Sequence, residues 1–503
     1  MPQEERPISP PPGPQPGRWV LSHGEIRTIV FGLMLAMFLA ALNQTIVATA
    51  LPTIGRDFRD FEMLPWVVTA YLLTSTAVAP LYGKLSDIHG RRAMMLAGIG
   101  IFIAGSAACA VAPDMITLIL GRGLQGVGGG GILPLAQAIL ADAVAPRERG
   151  RYQAYMGSVW ITAGLGGPVL GGILAEHFHW SIIFWVNVPL GLVAAAMANH
   201  SLKRVPRHDH KHRLDLLGAG LMMASAILLL LALTWGGTRY PWLSPPIAIL
   251  VLSAAVLSIL FAWRQMRASE PFLPLPVLAN PVMRMGTVCT SFSQAVVIGL
   301  TIFLPLYYEV VHKFSASNSG LALIPIVVMS TPGSILSGRA MMHLDHYKRV
   351  PLICLSCSIA ALCLLVWDPA LPPMVVAAVL SVVAFGIGTS YPVGTVSIQN
   401  AVSRYQVGAA MGAMNFFRGL TAAFIVAAMG AIVLAALGVS PARGGSTAAL
   451  TATASARGVD LAHMFRGVFA LGVLCLVVSL IALIRMEERP LRGRSDDIAP
   501  PVA

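Results

Sequence analysis

Residues 81–95 read LYGKLSDIHGRRAMM, a short knot of glycine, aspartate and basic residues with a prolonged apolar run on either side. About 20 mainly apolar residues span a bilayer as a helix, because backbone amides in hydrocarbon must be paired within their own segment. The knot therefore reads as a tight connection between two membrane helices. Whether it is only a solvated loop or a working part is the question the rest of the chain answers.

The same rule applied throughout gives fourteen spans: 28–51, 66–82, 92–111, 116–140, 152–174, 182–198, 214–235, 247–263, 285–310, 320–341, 350–367, 374–397, 407–437 and 464–484. Composition agrees. Of 503 residues, 56% are hydrophobic and only 11% charged, and the mean hydropathy is +0.74. No water-soluble globule hides that much apolar surface. The expected fold class is an all-α integral membrane protein.

A net charge of +12 would suggest nucleic acid in a soluble chain. Here no basic face with interleaved aromatics occurs, and the basic residues fall in short connections, so they read as orientation signals facing anionic lipid. The two tails and every second loop carry roughly 25 of the 34 Lys and Arg residues, the alternate loops about seven. Both termini are thus expected on the cytoplasmic side of a bacterial inner membrane. The 19 residues at the start, MPQEERPISPPPGPQPGRW, lack the apolar core of a signal peptide and read as a disordered tail. All six cysteines lie in apolar runs and imply no disulfide framework.

Two connections echo each other. After the second span come Gly83, Lys84, Asp87 and Gly90-Arg91-Arg92; after the tenth come Gly338, Arg339, Asp345 and Tyr347-Lys348-Arg349. Internal symmetry of this kind marks a transporter built from repeated bundles. The expected division is a cytoplasmic tail at 1–27, a six-helix bundle at 28–200, a basic linker with two inserted helices at 201–283, a second six-helix bundle at 284–485, and a cytoplasmic tail at 486–503.

At this point the chain resembles the fourteen-helix drug:proton antiporters of the major facilitator superfamily. The resemblance rests on LNQTIVATALPTI in the first span, GKLSDIHGRR after the second, LGRGLQGVGGGG in the fourth, GGPVLGG in the fifth, FWVNVPLG in the sixth, ALTWGG ending the seventh, FLPLYYEVV in the ninth, and QNAVS with FFRG around the thirteenth. It implies the major facilitator fold, two six-helix bundles plus two additional transmembrane helices, and multidrug efflux by alternating access.

It also implies roles. Gly83, Asp87, Gly90, Arg91 and Arg92 match the family's gating loop, which latches the bundles on the cytoplasmic side. Independently, Gly83 permits close helix approach, Gly90 a tight turn, and Asp87 could cap a helix of the opposite bundle. A plain positive-inside loop would explain the arginines but not the aspartate and glycines. Gly167, Pro168, Gly171 and Gly172 form a kink that accompanies exporters in the family.

Ionisable residues inside a span point to function. Arg122 and Arg418 are the two intramembrane cations, and with Glu309 they are the coupling candidates; the family's matching arginine for Arg122 belongs to the proton relay. No Asp or Glu falls near the middle of a span, and the family's first-span aspartate is replaced by Asn43, which cannot exchange a proton. Glu309, near the outer end of the ninth span, is the best remaining carboxylate, either a displaced proton site or an interfacial residue. Two cations and few acids make dications poor substrates and favour neutral or weakly acidic amphiphiles. Asn43, Gln44, Tyr71, Trp160, Phe292, Gln294, Asn415 and Phe416 are the expected cavity lining.

Other constellations carry less. His208, His210 and His212 beside Asp209 read as a solvated linker rather than a metal site. No phosphate-binding loop follows a strand and no nucleophile has a base in context, so neither a cofactor, ATP-driven transport nor an enzyme is expected. The expected partners are a small-molecule substrate, protons, the lipid bilayer and accessory export proteins, with no nucleic acid. The expected function is proton-coupled export of small lipophilic or amphiphilic compounds; the alternative is a proton-independent facilitator or uptake carrier for one metabolite.

Overall fold

The computed structural model describes residues 22–60, 62–204, 214–268, 270–273, 275–437 and 461–491. Among them no strand forms, and fourteen helices are long and apolar enough to cross a membrane. In chain order the helices that build these spans are α1 (His23–Phe58), α2 (Leu64–His89), α3 (Arg91–Ala110), α4 (Met115–Ala143), α5 (Pro146–His177), α6 (Asn187–Ser201, which completes a span begun by the short helix Ile182–Trp185) and α7 (Leu216–Trp235). There follow α8 (Pro245–Arg267), α9 (Pro281–Val311), α10 (Ser330–His343), α11 (Arg349–Trp367), α12 (Pro373–Ala401), α13 (Val407–Leu437) and α14 (Leu461–Arg485).

The boundaries have local causes. Ser22 and Glu25 form a capping box, each side chain bonding the other's backbone N–H, so α1 starts at His23 rather than at residue 28. The expected N-terminal tail shortens accordingly; residues 1–21, the histidine linker around His208, and the loop at 438–460 lie outside the described residues. The tenth span is not continuous. Two short helices, Ala316–Leu321 and Ile324–Val328, precede α10. Each ends at the residue four before a proline, Pro325 and Pro332, where the missing N–H and the ring break the ladder.

Six helices make each half. α1 packs on α4, α5 and α6, and α2 and α3 both pack on α4; in the second half α9 packs on α12, α13 and α14, and α12 on α10 and α11. The first core holds Ile29, Leu33, Ile99, Ile132 and Leu135, the second Val296, Leu300, Leu380, Val383 and Phe469. Leu252 and Ile259 on α8 are 65% and 68% exposed, as lipid-facing side chains should be when the surrounding solvent is hydrocarbon.

The halves meet along α2 with α13 and α5 with α10. A third apolar cluster fills the first seam, joining Ala77 and Ala138 to Met411, Met414 and Phe416. The inserted pair, α7 and α8, closes on itself through Arg264 and Asp215, 3.2 Å apart. α7 lies on both α2 and α13, and its Ala219, Met222 and Ala226 join the seam cluster. The extra helices therefore cover the junction rather than hanging from one half.

Candidate functional site

The densest polar construction lies where the two halves touch, at the end of the molecule that carries the described chain ends. It begins with missing side chains. A Cβ at Gly83 would strike the Gly408 carbonyl oxygen and lie 3.2 Å from Gly412 Cα, so α2 and α13 approach backbone to backbone. Gly90 turns the chain into α3 at φ 90°, ψ 149°, a conformation a larger residue adopts only under strain.

That geometry delivers Asp87 to the first turn of α13. Its Oδ1 accepts from the Gly408 N–H at 3.1 Å and its Oδ2 from the Ala409 N–H at 2.8 Å. These amides are the unpaired donors of a helix N-terminus, where the dipole also favours a negative charge. Arg91 holds the carboxylate from behind, donating to Asp87 Oδ1 at 2.5 Å, to Ser86 Oγ at 2.6 Å and to Asp142 Oδ2 at 2.8 Å. All three charged side chains are at most 5% exposed. Arg92 turns away, bonding Asn199 on α6 through Nε at 3.1 Å and Nη2 at 2.5 Å. The five residues expected to form a gating loop thus split: Gly83, Asp87, Gly90 and Arg91 build the seam, and Arg92 ties α3 to α6.

The echo after the tenth span sits at the matching place in the other seam. A Cβ at Gly338 would come 2.5 Å from the Gly150 carbonyl oxygen, and Asp345 accepts from Arg147 at 3.1 Å. Asp345 is 91% exposed, so this second bridge is a surface ion pair and weak.

Above the Asp87 seam a buried amide ladder crosses between halves. Gln137 of α4 accepts from Asn415 Nδ2 at 2.7 Å through its side chain and from Gln399 Nε2 at 3.0 Å through its carbonyl. Asn415 in turn accepts from Arg418 Nη1 at 3.1 Å. Gln137 and Gln399 were not anticipated; Gln399 falls within the QNAVS string, while Gln137 carried no local signal.

Arg122 is fully enclosed. Its Nε donates to the Val67 carbonyl at 2.8 Å and its Nη1 to Gln125 Oε1 at 2.5 Å, and Gln125 passes the chain on to Ser106 at 2.6 Å. The guanidinium lies over Tyr71 at 4.5 Å and near Phe184 at 5.9 Å. Arg418 likewise bonds a side-chain amide, Asn415, and rests over one ring, Tyr391, at 4.5 Å. Glu309 is half-buried two residues from the end of α9.

The expected cavity lining separates into two groups. Asn43, Tyr71 and Phe416 are packed inside protein, at 0%, 1% and 7% exposure. Asn43 accepts from Asn187 Nδ2 at 3.3 Å, bringing the LNQTIV and FWVNVPLG strings together, and Phe416 belongs to the seam. Gln44, Phe292, Gln294 and Asn415 are half-buried and Trp160 is 42% exposed.

In the kink, Gly167 abuts Thr45 and Gly171 abuts Thr49 and Ile46, while Thr45 Oγ1 donates to the Ala163 carbonyl at 2.9 Å. α1 and α5 therefore touch closely there. Gly172 differs: a Cβ there meets nothing within 4 Å, so it takes no part in the approach.

Comparison with known proteins agrees with this architecture. A family model described as Major Facilitator Superfamily matches residues 33–427. Multidrug transporter protein MdtP of Bacillus subtilis is 31% identical over 410 residues, covering 82% of this chain and 76% of that protein. The uncharacterized MFS-type transporter Rv1877 of Mycobacterium tuberculosis is 35% identical over 415 residues, covering 81% of this chain. The chain spans only 59% of that relative's length and 63% of efflux pump FUS6 of Gibberella fujikuroi, to which it is 33% identical. Among solved structures, the human organic anion transporter MFSD10 superposes with a TM-score of 0.61 over 90% of this chain and 99% of that one, at 17% identity. That last likeness concerns the fold alone.

Proposed function

The chain belongs to the major facilitator superfamily and is a membrane transporter rather than an enzyme, and we propose that it exports small lipophilic or amphiphilic compounds by alternating access. The observation that carries this reading is the Asp87 carboxylate of one half seated on the N-terminus of α13 in the other. A bond of that kind, made between halves and not within one, holds one face shut only while the halves are docked. The α2–α13 contact reaches up to Thr76 and Gly419, while α1 and α9 each pack within their own half. This supports a pocket between α1 and α9 that faces away from the latched end.

The latched end is the cytoplasmic one in this proposal, because basic residues concentrate there. The close approach of α5 to α1 at Gly167 and Gly171 supports export, as does the description of relatives as efflux pumps. The transported compounds are neutral or weakly acidic, since the described spans bury two mid-span cations, Arg122 and Arg418, and no mid-span carboxylate.

The driving force in this reading is the inward proton gradient, with Glu309 as the exchanging carboxylate and Arg122 as part of its relay. Accessory export proteins are further partners of the same reading. A second reading, proton-independent transport, is favoured by one observation: the family's first-span acid is here Asn43, buried against Asn187.

Reconstitution in liposomes with an imposed pH gradient of either sign separates the two. Substrate and proton flux should be coupled in the wild type, lost in Glu309→Gln, and strengthened in Asn43→Asp. Substrate flux indifferent to the gradient would leave the second reading standing, and no flux of any compound would overturn transport itself.

A further inference from the structure

The two buried arginines that lie within spans, Arg122 and Arg418, are dressed differently, and the difference singles out one of them. Arg122 has a carbonyl, a side-chain amide and two aromatic rings around it. Arg418, 7% exposed, spends one N–H on Asn415, and its Nε, in a fully buried position, has no hydrogen-bond partner. No ion pair to Arg418 is recorded among the described residues. A guanidinium keeps its proton, so Arg418 serves poorly as a proton carrier; what it lacks is an anion.

Its position suits a ligand. Arg418 lies eleven residues into α13, roughly 16 Å from the Val407 end at helical rise. It sits one turn from the Asn415–Gln137 bond that crosses the halves. The ring it rests on, Tyr391, is half-buried rather than sealed.

The geometry points to Arg418 and Tyr391 as a subsite for a single carboxylate carried on an apolar body. The free Nε edge of a guanidinium matches the two oxygens of a carboxylate, and the Tyr391 ring supplies a flat wall for the adjoining apolar group. One negative charge cancels the one cation; a dianion would leave an uncompensated charge in a low-dielectric site. The inference rests on the transporter reading and narrows its substrate class from weakly acidic amphiphiles to monocarboxylates held at a named residue.

The test uses an isosteric series, 2-naphthoate, 2-naphthamide and 2-naphthylmethylammonium, titrated against the purified full-length protein by fluorescence. Naphthoate should bind the wild type about tenfold or more tighter than the amide, and the ammonium compound should bind weakest. Arg418→Gln should bind naphthoate and naphthamide alike while retaining its affinity for naphthamide, which also certifies its fold. Arg418→Lys, which keeps the charge but not the fork, should keep part of the preference. Equal binding of the three by the wild type, an unchanged preference in Arg418→Gln, or displacement of naphthoate by an equal concentration of chloride would overturn the proposal. Flux in proteoliposomes is read separately: intact discrimination without flux of any compound would sink transport and leave the subsite.

Discussion

Asp87 illustrates how one side chain can join two halves of a molecule. It receives two backbone N–H groups of α13 and the Arg91 guanidinium, all away from water. Asp87→Asn keeps the size but removes the charge, and should weaken the latched state by about 1.5–3 kcal/mol, roughly 10- to 150-fold in population. Accessibility of a cysteine placed at Ser86 to a water-soluble maleimide reports it; unchanged labelling would show that the charge is idle. Asp345→Asn, at an exposed pair, should change labelling by less than about 1 kcal/mol equivalent. The role of Asp87 was legible in its sequence setting because its spacing from Gly83 and Gly90 is local. The surroundings of Asn43 were not, since Asn187 lies 144 residues away and nothing near Asn43 names it.

At the scale of helices, glycine decides where α1 and α5 can touch. Replacing Gly171 with valine drives a Cβ to 2.6 Å from the Ile46 carbonyl oxygen and against Thr49, an overpacking that should cost about 1–3 kcal/mol. Gly172→Ala meets open space inside a helix and should leave the melting temperature unchanged or raise it slightly, so thermal unfolding in detergent distinguishes neighbours that look identical in GGPVLGG. That distinction is a matter of helical phase against a particular partner, which the string alone does not contain. Other element features are readable in the sequence. Ser22 and Glu25 have capping-box spacing, and Pro325 and Pro332 foretell the breaks before α10. Counting apolar residues fixes the existence of a span more firmly than its ends.

For the whole molecule, fourteen spans follow from composition because hydrocarbon allows a helix few alternatives, and the arrangement in two halves with an inserted pair follows from the family. The placement of that pair across the α2–α13 seam was not legible, since both faces of α7 read as equally apolar. In the proposed cycle the halves rock about this seam, closing one side as the other opens. Spin-label pairs on each side measure it most directly: Arg147→Cys with Asp345→Cys at the latched end, and Glu62→Cys with Lys313→Cys at the opposite end. When Asp87→Asn is added to both pairs, the first distance should lengthen while the second shortens. Two distances that stay fixed, or that change in the same direction, would contradict it.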